Sequence, residues 1–158
     1  MGKIVIFVRH TEAQLREGQT EDALRMLTEK GIQDAKKIAR SIKPIVAEAS
    51  LSILSSPLIR AEETAKIIAK KLDAEVILKD WIASGSLDQL QEAIIACKKD
   101  ILIVVGHEPT LSQWIDSCCH VRVPMRKGTA CALRFDADIS EGAALSWYLD
   151  KNAVPWNE

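Results

Sequence analysis

Ile4-Val5-Ile6-Phe7-Val8 contains no polar residue and passes at once into Arg9-His10. Five consecutive apolar residues, mostly β-branched or aromatic and without alternation, predict a strand buried on both faces. That is the strand type of a parallel sheet with helices on each side. The pattern recurs at Ile101-Leu102-Ile103-Val104-Val105, which ends in Gly106-His107. Leu51 to Leu54 and Glu75 to Leu78 read as two further strands, the second one short.

Helical signals fill the intervals. Thr28 is a predicted N-cap for a helix from Glu29 to about Lys43, with Ile32, Ala35, Ile38, Ala39 and Ile42 on one face and Pro44 ending or kinking it. Ser56-Pro57 has the order of an N-cap and a first-turn proline, opening a helix to about Lys71 with Ala61, Thr64, Ala65, Ile68 and Leu72 inward. Ser86 and Gln89 form a capping box before a helix carrying Leu87, Leu90, Ile94 and Ile95. Pro109 starts a helix through about Cys118. Ala130 to Phe135 and Ala144 to Leu149 read as closing strands around an acidic turn. Residues 11–27 are polar and weakly periodic, with Gly18 among them, and predict a long loop with room for one helical turn. Strand and helix in alternation, then a strand pair, predict a three-layer α/β/α sandwich with a mainly parallel central sheet, formed by residues 1–158 as one domain.

Bulk properties narrow the function. The chain has 158 residues, enough for one ordinary domain with a real core. Its 22 acidic and 21 basic residues nearly cancel, which argues against a nucleic-acid surface or an acidic tail. The first apolar run is too short for a signal peptide or a membrane span, so the expected location is the cytoplasm, with no membrane partner. Cys97, Cys118, Cys119 and Cys131 include no CxxC pair, and only His120 stands beside one of them, which disfavours zinc. Free thiols inside apolar patterns fit a reducing compartment.

Chemistry collects at the strand ends. Ligands of open α/β sheets bind beyond the carboxyl ends of the strands, where both His10 and His107 are expected. Arg9 adjoins the first, and Arg60 falls in the first turn of a helix that emerges at the same edge. A helix N-terminus there adds unpaired N–H groups and partial positive charge. Two guanidinium forks, two imidazoles and a helix end together suit a phosphate. Taken singly, each has a plainer reading: Arg-His or Gly-His as a solvated strand end, Arg60 as a surface charge or a partner for Glu63. Only their joint placement points to a site.

Three segments then carry a resemblance. Val8-Arg9-His10-Thr11, Ser55-Ser56-Pro57-Leu58-Ile59-Arg60-Ala61-Glu62-Glu63-Thr64-Ala65 and Val105-Gly106-His107-Glu108-Pro109 resemble the histidine phosphatase superfamily, whose fold is phosphoglycerate mutase-like. The short chain and Leu27-Thr28-Glu29-Lys30-Gly31 are similar to SixA-type phosphohistidine phosphatases. The resemblance implies that His10 is the nucleophile and that Arg9, Arg60 and His107 bind the phosphoryl oxygens, with no metal or cofactor required. It implies a phosphohistidine-bearing signalling protein or a small phosphorylated molecule as substrate. A general phosphomonoesterase is the first alternative, and a non-catalytic phosphate- or partner-binding domain the second. A mutase is disfavoured because the short connections offer little shield from water.

Several roles stay open at this level. Thr11 stands where the family often has Gly, and its hydroxyl either contacts phosphate or caps the loop, the latter being favoured. Glu108 would repel phosphate unless it points away. Asp80 is either the leaving-group acid or a loop carboxylate, and Glu12 is a weaker candidate. Trp81 is expected near the mouth of the site, and the segment from Trp81 to Ser86 is the expected lid. Trp114, Trp147 and Trp156 read as packing, His120 has no assigned role, and Lys36-Lys37 and Lys70-Lys71 read as solvated helix faces.

Overall fold

A computed structural model describes residues 2–15, 21–136 and 138–153. Gly18 and Trp156 lie outside the described residues. Strands β1 (Lys3–Arg9), β2 (Leu51–Ser55), β3 (Val76–Leu78), β4 (Ile101–Gly106), β5 (Thr129–Phe135) and β6 (Ala143–Asp150) form one sheet in the order β3-β2-β4-β1-β5-β6. The first three pairings are parallel and the last two antiparallel, as the mainly parallel reading requires. Helices α1 (Glu29–Val46), α2 (Ile59–Leu72), α3 (Asp80–Ser84), α4 (Leu87–Ala96) and α5 (Thr110–Cys119) cover its faces.

The apolar run of β1 serves both faces. Val5 and Phe7 join a cluster with Ile82, Leu90, Ile94, Leu111 and Trp114, whereas Ile6 and Val8 join Ile38, Ile42, Ala61, Ala65 and Ile68. Burial on both sides explains the absence of alternation that marks β1 and β4 in the sequence. Each fully buried isoleucine stabilises the fold by about 1.5–3 kcal/mol relative to exposure. Among the described residues no helix is long and apolar enough to cross a membrane.

The structure corrects six local expectations. Helix α1 continues through Pro44 to Val46, where Val46, 4% exposed, extends the buried stripe of Ile38 and Ile42. One missing N–H in the last turn is offset by that burial. Helix α2 begins at Ile59 rather than at Pro57, because the Ser56 hydroxyl accepts from the N–H of Leu58 and shapes the preceding turn instead of capping the helix. Ile95 is 70% exposed and lies off the inner stripe of α4. Lys37 is buried against Asp34 of its own helix, while Lys36 is exposed. Residues 80–84 form the short helix α3, pinned by buried Trp81 and Ile82, so no free lid exists there. Trp81 accordingly packs against Trp114, with ring centroids 5.9 Å apart, rather than standing at a mouth. All four cysteines are free, and burial pushes the thiols of Cys118 and Cys131 up to about 11 and about 12.

Candidate active site

β1 and β4 are neighbours, and their register pairs Arg9 with Gly106, so His10 and His107 leave the sheet side by side. The His10 N–H donates to Gly106 O at 3.1 Å, and the Ser56 N–H donates to Val105 O at 3.0 Å. Two chain segments are thereby tied to the end of β4. The two imidazole rings lie with centroids 5.2 Å apart and planes 55° from parallel.

His10 is 4% exposed, and its Nδ1 lies 2.7 Å from Thr11 O. A carbonyl can only accept, so Nδ1 carries the proton and Nε2 keeps its lone pair. Burial pushes the imidazole down to about 3 against the opposing pull of the Thr11 bond, with His107, Arg60 and Arg9 reinforcing the effect. His107 is pushed down to about 4, first by burial and then by Arg60 and Arg9. Both rings are therefore neutral at pH 7. A neutral imidazole with a free lone pair is what a nucleophile requires.

The segment after His10 is clamped by the start of α1. Thr28 caps that helix by accepting from Gly31 N–H at 3.0 Å, and the Thr11 hydroxyl donates to Gly31 O at 2.7 Å. A side chain at position 31 would place its Cβ 2.0 Å from Glu12 O, so only glycine permits this approach. Thr11 thus fastens the loop, as favoured from sequence.

Arg9 reaches the loop before β5, donating from Nη1 to Met125 O at 3.1 Å. Burial lowers its pKa, Glu108 counters that, and Arg60 adds to it. Arg60 donates from Nη1 to Asp22 O at 2.9 Å and from Nη2 to Asp22 Oδ2 at 3.1 Å. Asp22 sits in a short 3-10 turn, Asp22–Leu24, and also pairs with Arg25 at 2.9 Å. Five buried side-chain polar atoms lack a partner among the described residues, and three of them are Arg9 Nε, Arg60 Nε and His107 Nδ1. Buried polar atoms are normally satisfied. Three of the five fall on residues that act on His10, an arrangement able to receive an anion.

The remaining candidates divide. Glu108 accepts from the N–H of Ser112 at 2.8 Å in the first turn of α5, and its charge also acts on Arg9. Glu12 accepts from the Thr28 hydroxyl at 2.8 Å and is committed to the helix start. Asp80 opens α3, exposed, just after a bond from Lys79 N–H to Ser55 O brings the chain to the same sheet edge. His120 terminates α5 in the left-handed region, φ 57°, away from the motif. Sequence reasoning missed Asp22, which lies in an aperiodic polar loop, and the partnership of Ser56 with His107 at 2.7 Å. Ser56 carried a signal, since it lies within the longest motif, but that signal was taken up by its capping role.

A family model of the histidine phosphatase superfamily (branch 1) matches residues 5–113. An uncharacterised protein of Picosynechococcus is 33% identical over 119 residues, 70% of each chain. A 2,3-bisphosphoglycerate-dependent phosphoglycerate mutase of Thermoplasma acidophilum is 37% identical over 78 residues, 48% of this chain and 38% of that protein. Among solved structures, a protein histidine phosphatase SixA complexed with tungstate superposes with TM-score 0.83 at 19% identity, covering 95% of this chain and 98% of that one. At that identity the likeness speaks for the fold. The family match spans both histidines and both arginines of the site and supports phosphatase activity. The chain belongs to the histidine phosphatase superfamily.

Proposed function

We propose that this chain is a phosphatase working through a phosphohistidine intermediate on His10, and that its preferred substrate is phosphohistidine displayed on a partner protein. The observation that carries the reading is the set of three unpartnered buried nitrogens, Arg9 Nε, Arg60 Nε and His107 Nδ1, on the residues that act on a neutral His10. In the first step His10 Nε2 forms a bond to phosphorus as the bond to the leaving group breaks. The donors stabilise charge on the three equatorial oxygens, where catalysis of phosphoryl transfer mostly resides. In the second step water attacks phosphorus, the P–Nε2 bond breaks, and phosphate leaves with neutral His10 restored. The similar SixA structure carries tungstate, a tetrahedral oxyanion of phosphate shape, which is consistent with this use of the fold.

Two features favour a protein substrate. Leu15, Leu24 and Met26 are 79%, 53% and 49% exposed on the connection whose Asp22 holds Arg60, an apolar rim suited to another protein's surface. The leaving imidazole of phosphohistidine can also depart already protonated, so no committed acid is needed. Buried free thiols fit a cytoplasmic setting. Asp80, exposed at the same edge, supports the second reading, a phosphomonoesterase in which it protonates an ester oxygen.

One experiment decides between them. Wild type and His10→Ala are incubated with a phosphohistidine-bearing protein and with a simple phosphate ester. The expected result is faster turnover of the protein substrate, acid-labile phosphate trapped on wild type, and loss of both activities in the variant. Preference for the ester, together with a fall of about 10²–10⁴ for Asp80→Asn on it, would establish the phosphomonoesterase instead.

A further inference from the structure

We propose that Ser56 is a positioning residue that sets the tautomer of His107: its hydroxyl donates to Nε2, so that Nδ1–H is the hydrogen offered to the transferring phosphoryl group. What Nδ1–H does rests on the phosphatase reading above, whereas the tautomer does not.

Ser56 is 0% exposed, and its Oγ lies 2.7 Å from His107 Nε2. The same Oγ accepts from the N–H of Leu58 at 3.2 Å. Its backbone is fixed from two sides, by its own N–H on Val105 O at 3.0 Å and by the Ser55 hydroxyl on Ser56 O at 2.9 Å. The backbone from which the hydroxyl reaches the ring is therefore fixed. It has one proton, and among the described residues no acceptor other than Nε2 is within reach of it.

Two arrangements are conceivable for the neutral ring. With the proton on Nε2, Oγ would accept from both Nε2 and Leu58, and the serine proton would be buried without a partner. Nδ1, itself buried and unpartnered, would then present a lone pair beside the two arginines and repel a phosphoryl oxygen. With the proton on Nδ1, the serine proton, the Nε2 lone pair and the Leu58 N–H are all satisfied, and Nδ1–H alone awaits an acceptor. Buried polar groups favour the arrangement that leaves fewest unsatisfied. The ring is neutral at pH 7, pushed down to about 4 by burial and the arginines, so a single proton must be allocated.

The test reads the proton directly. In protein labelled with 15N at histidine, a long-range 1H–15N correlation spectrum at pH 7 without phosphate should show His107 with Nδ1 protonated and Nε2 bare. Ser56→Ala should populate the Nε2–H form and lower kcat roughly 10- to 100-fold, the scale seen when an orienting partner of a functional histidine is removed. KM should change much less, and Ser56→Thr, which keeps a hydroxyl, should restore both the tautomer and kcat. A wild-type spectrum with Nε2–H, or an Ala variant that retains pure Nδ1–H, overturns the assignment. Because Ser56→Ala also removes the acceptor for Leu58, a loss of folding in that variant leaves the decision to the wild-type and Thr spectra. Failure of His10 to trap phosphate alongside an Nδ1–H spectrum would count against the phosphatase reading alone.

Discussion

His10 and His107 follow paired residues of neighbouring parallel strands, yet they are held by different kinds of group. His10 donates from Nδ1 to a main-chain carbonyl, Thr11 O, at 2.7 Å. His107 meets a side-chain hydroxyl, Ser56 Oγ, at the same distance. A carbonyl accepts and does nothing else, so the tautomer of His10 is set by a main-chain group rather than by a side chain. A hydroxyl both donates and accepts, so the state of His107 depends on one serine and on what else that serine binds. The group proposed to form a covalent bond is held by the main chain, and the group proposed to donate a hydrogen bond is adjustable.

The largest expected effect separates these two roles. His10→Asn should abolish turnover and trapped phosphate together, because no other neutral imidazole with a free Nε2 faces the site. His107→Asn should lower kcat by about 10²–10³, the usual loss when one pre-set donor to a developing charge is removed. It should still trap acid-labile phosphate, more slowly. Rapid-quench measurement of the phosphoenzyme distinguishes the outcomes. Equal loss of the phosphoenzyme in both variants would break the asymmetry, since the two histidines would then act as one unit.

The same asymmetry governs what the sequence could reveal. The placement of both histidines was legible because a fully apolar run that stops at a polar residue marks a strand end, and parallel strands gather their ends. Arg60 was legible because a helix starts where its strand stops. The partners were not. Ser56 and His107 are 51 positions apart, and the local pattern Ser-Ser-Pro is explained as well by a cap as by a contact. Asp22 has no periodic context, and Met125 contributes only a carbonyl, which leaves no mark in a side-chain pattern. Helix α3, five residues long, is too short to show a helical period, so Trp81 was assigned to the mouth by its neighbour Asp80 rather than by packing. Ile95 shows the opposite failure, an apolar residue beside a buried stripe that the helix rotates into solvent.

A smaller effect follows from protons. Both histidines have folded pKa values depressed from 6.5, to about 3 for His10 and about 4 for His107. Between those values and 6.5 the unfolded chain binds more protons than the folded one, so stability rises with pH in that window and is lost as pH falls through it. The slope is about 1.4 kcal/mol per pH unit for each proton of difference. Urea unfolding at pH 7 and pH 5 should show wild type losing stability on acidification, and His10→Asn losing distinctly less. His107→Asn should show nearly the same attenuation over this span, since both folded values lie below pH 5 and the two rings diverge only under about pH 4. An unchanged pH dependence in either variant would overturn this prediction.

The smallest expected effect concerns Asp22, which ranks among the main influences on one histidine and not on the other. Its carboxylate draws the pKa of His107 upward against the arginines but is not among the largest influences on His10. It also occupies Nη2 of Arg60 through Oδ2, in a pair whose side chains are 8% and 50% exposed. A half-exposed pair of this kind is worth little, of order 0.2–1 kcal/mol. An incoming phosphoryl group competes for the same guanidinium and is repelled by the same carboxylate. Asp22→Asn removes the charge and leaves an amide oxygen able to accept from Nη2. Inhibition by inorganic phosphate should therefore tighten about two- to fivefold, the fold equivalent of a weak ion pair. The rate of phosphoenzyme formation at saturating substrate should stay near wild type, because the His10 tautomer is set by Thr11 O. A tenfold weakening of phosphate inhibition would instead make Asp22 the group that aims Arg60, and the site would then depend on three adjustable side chains around one histidine fixed by the backbone.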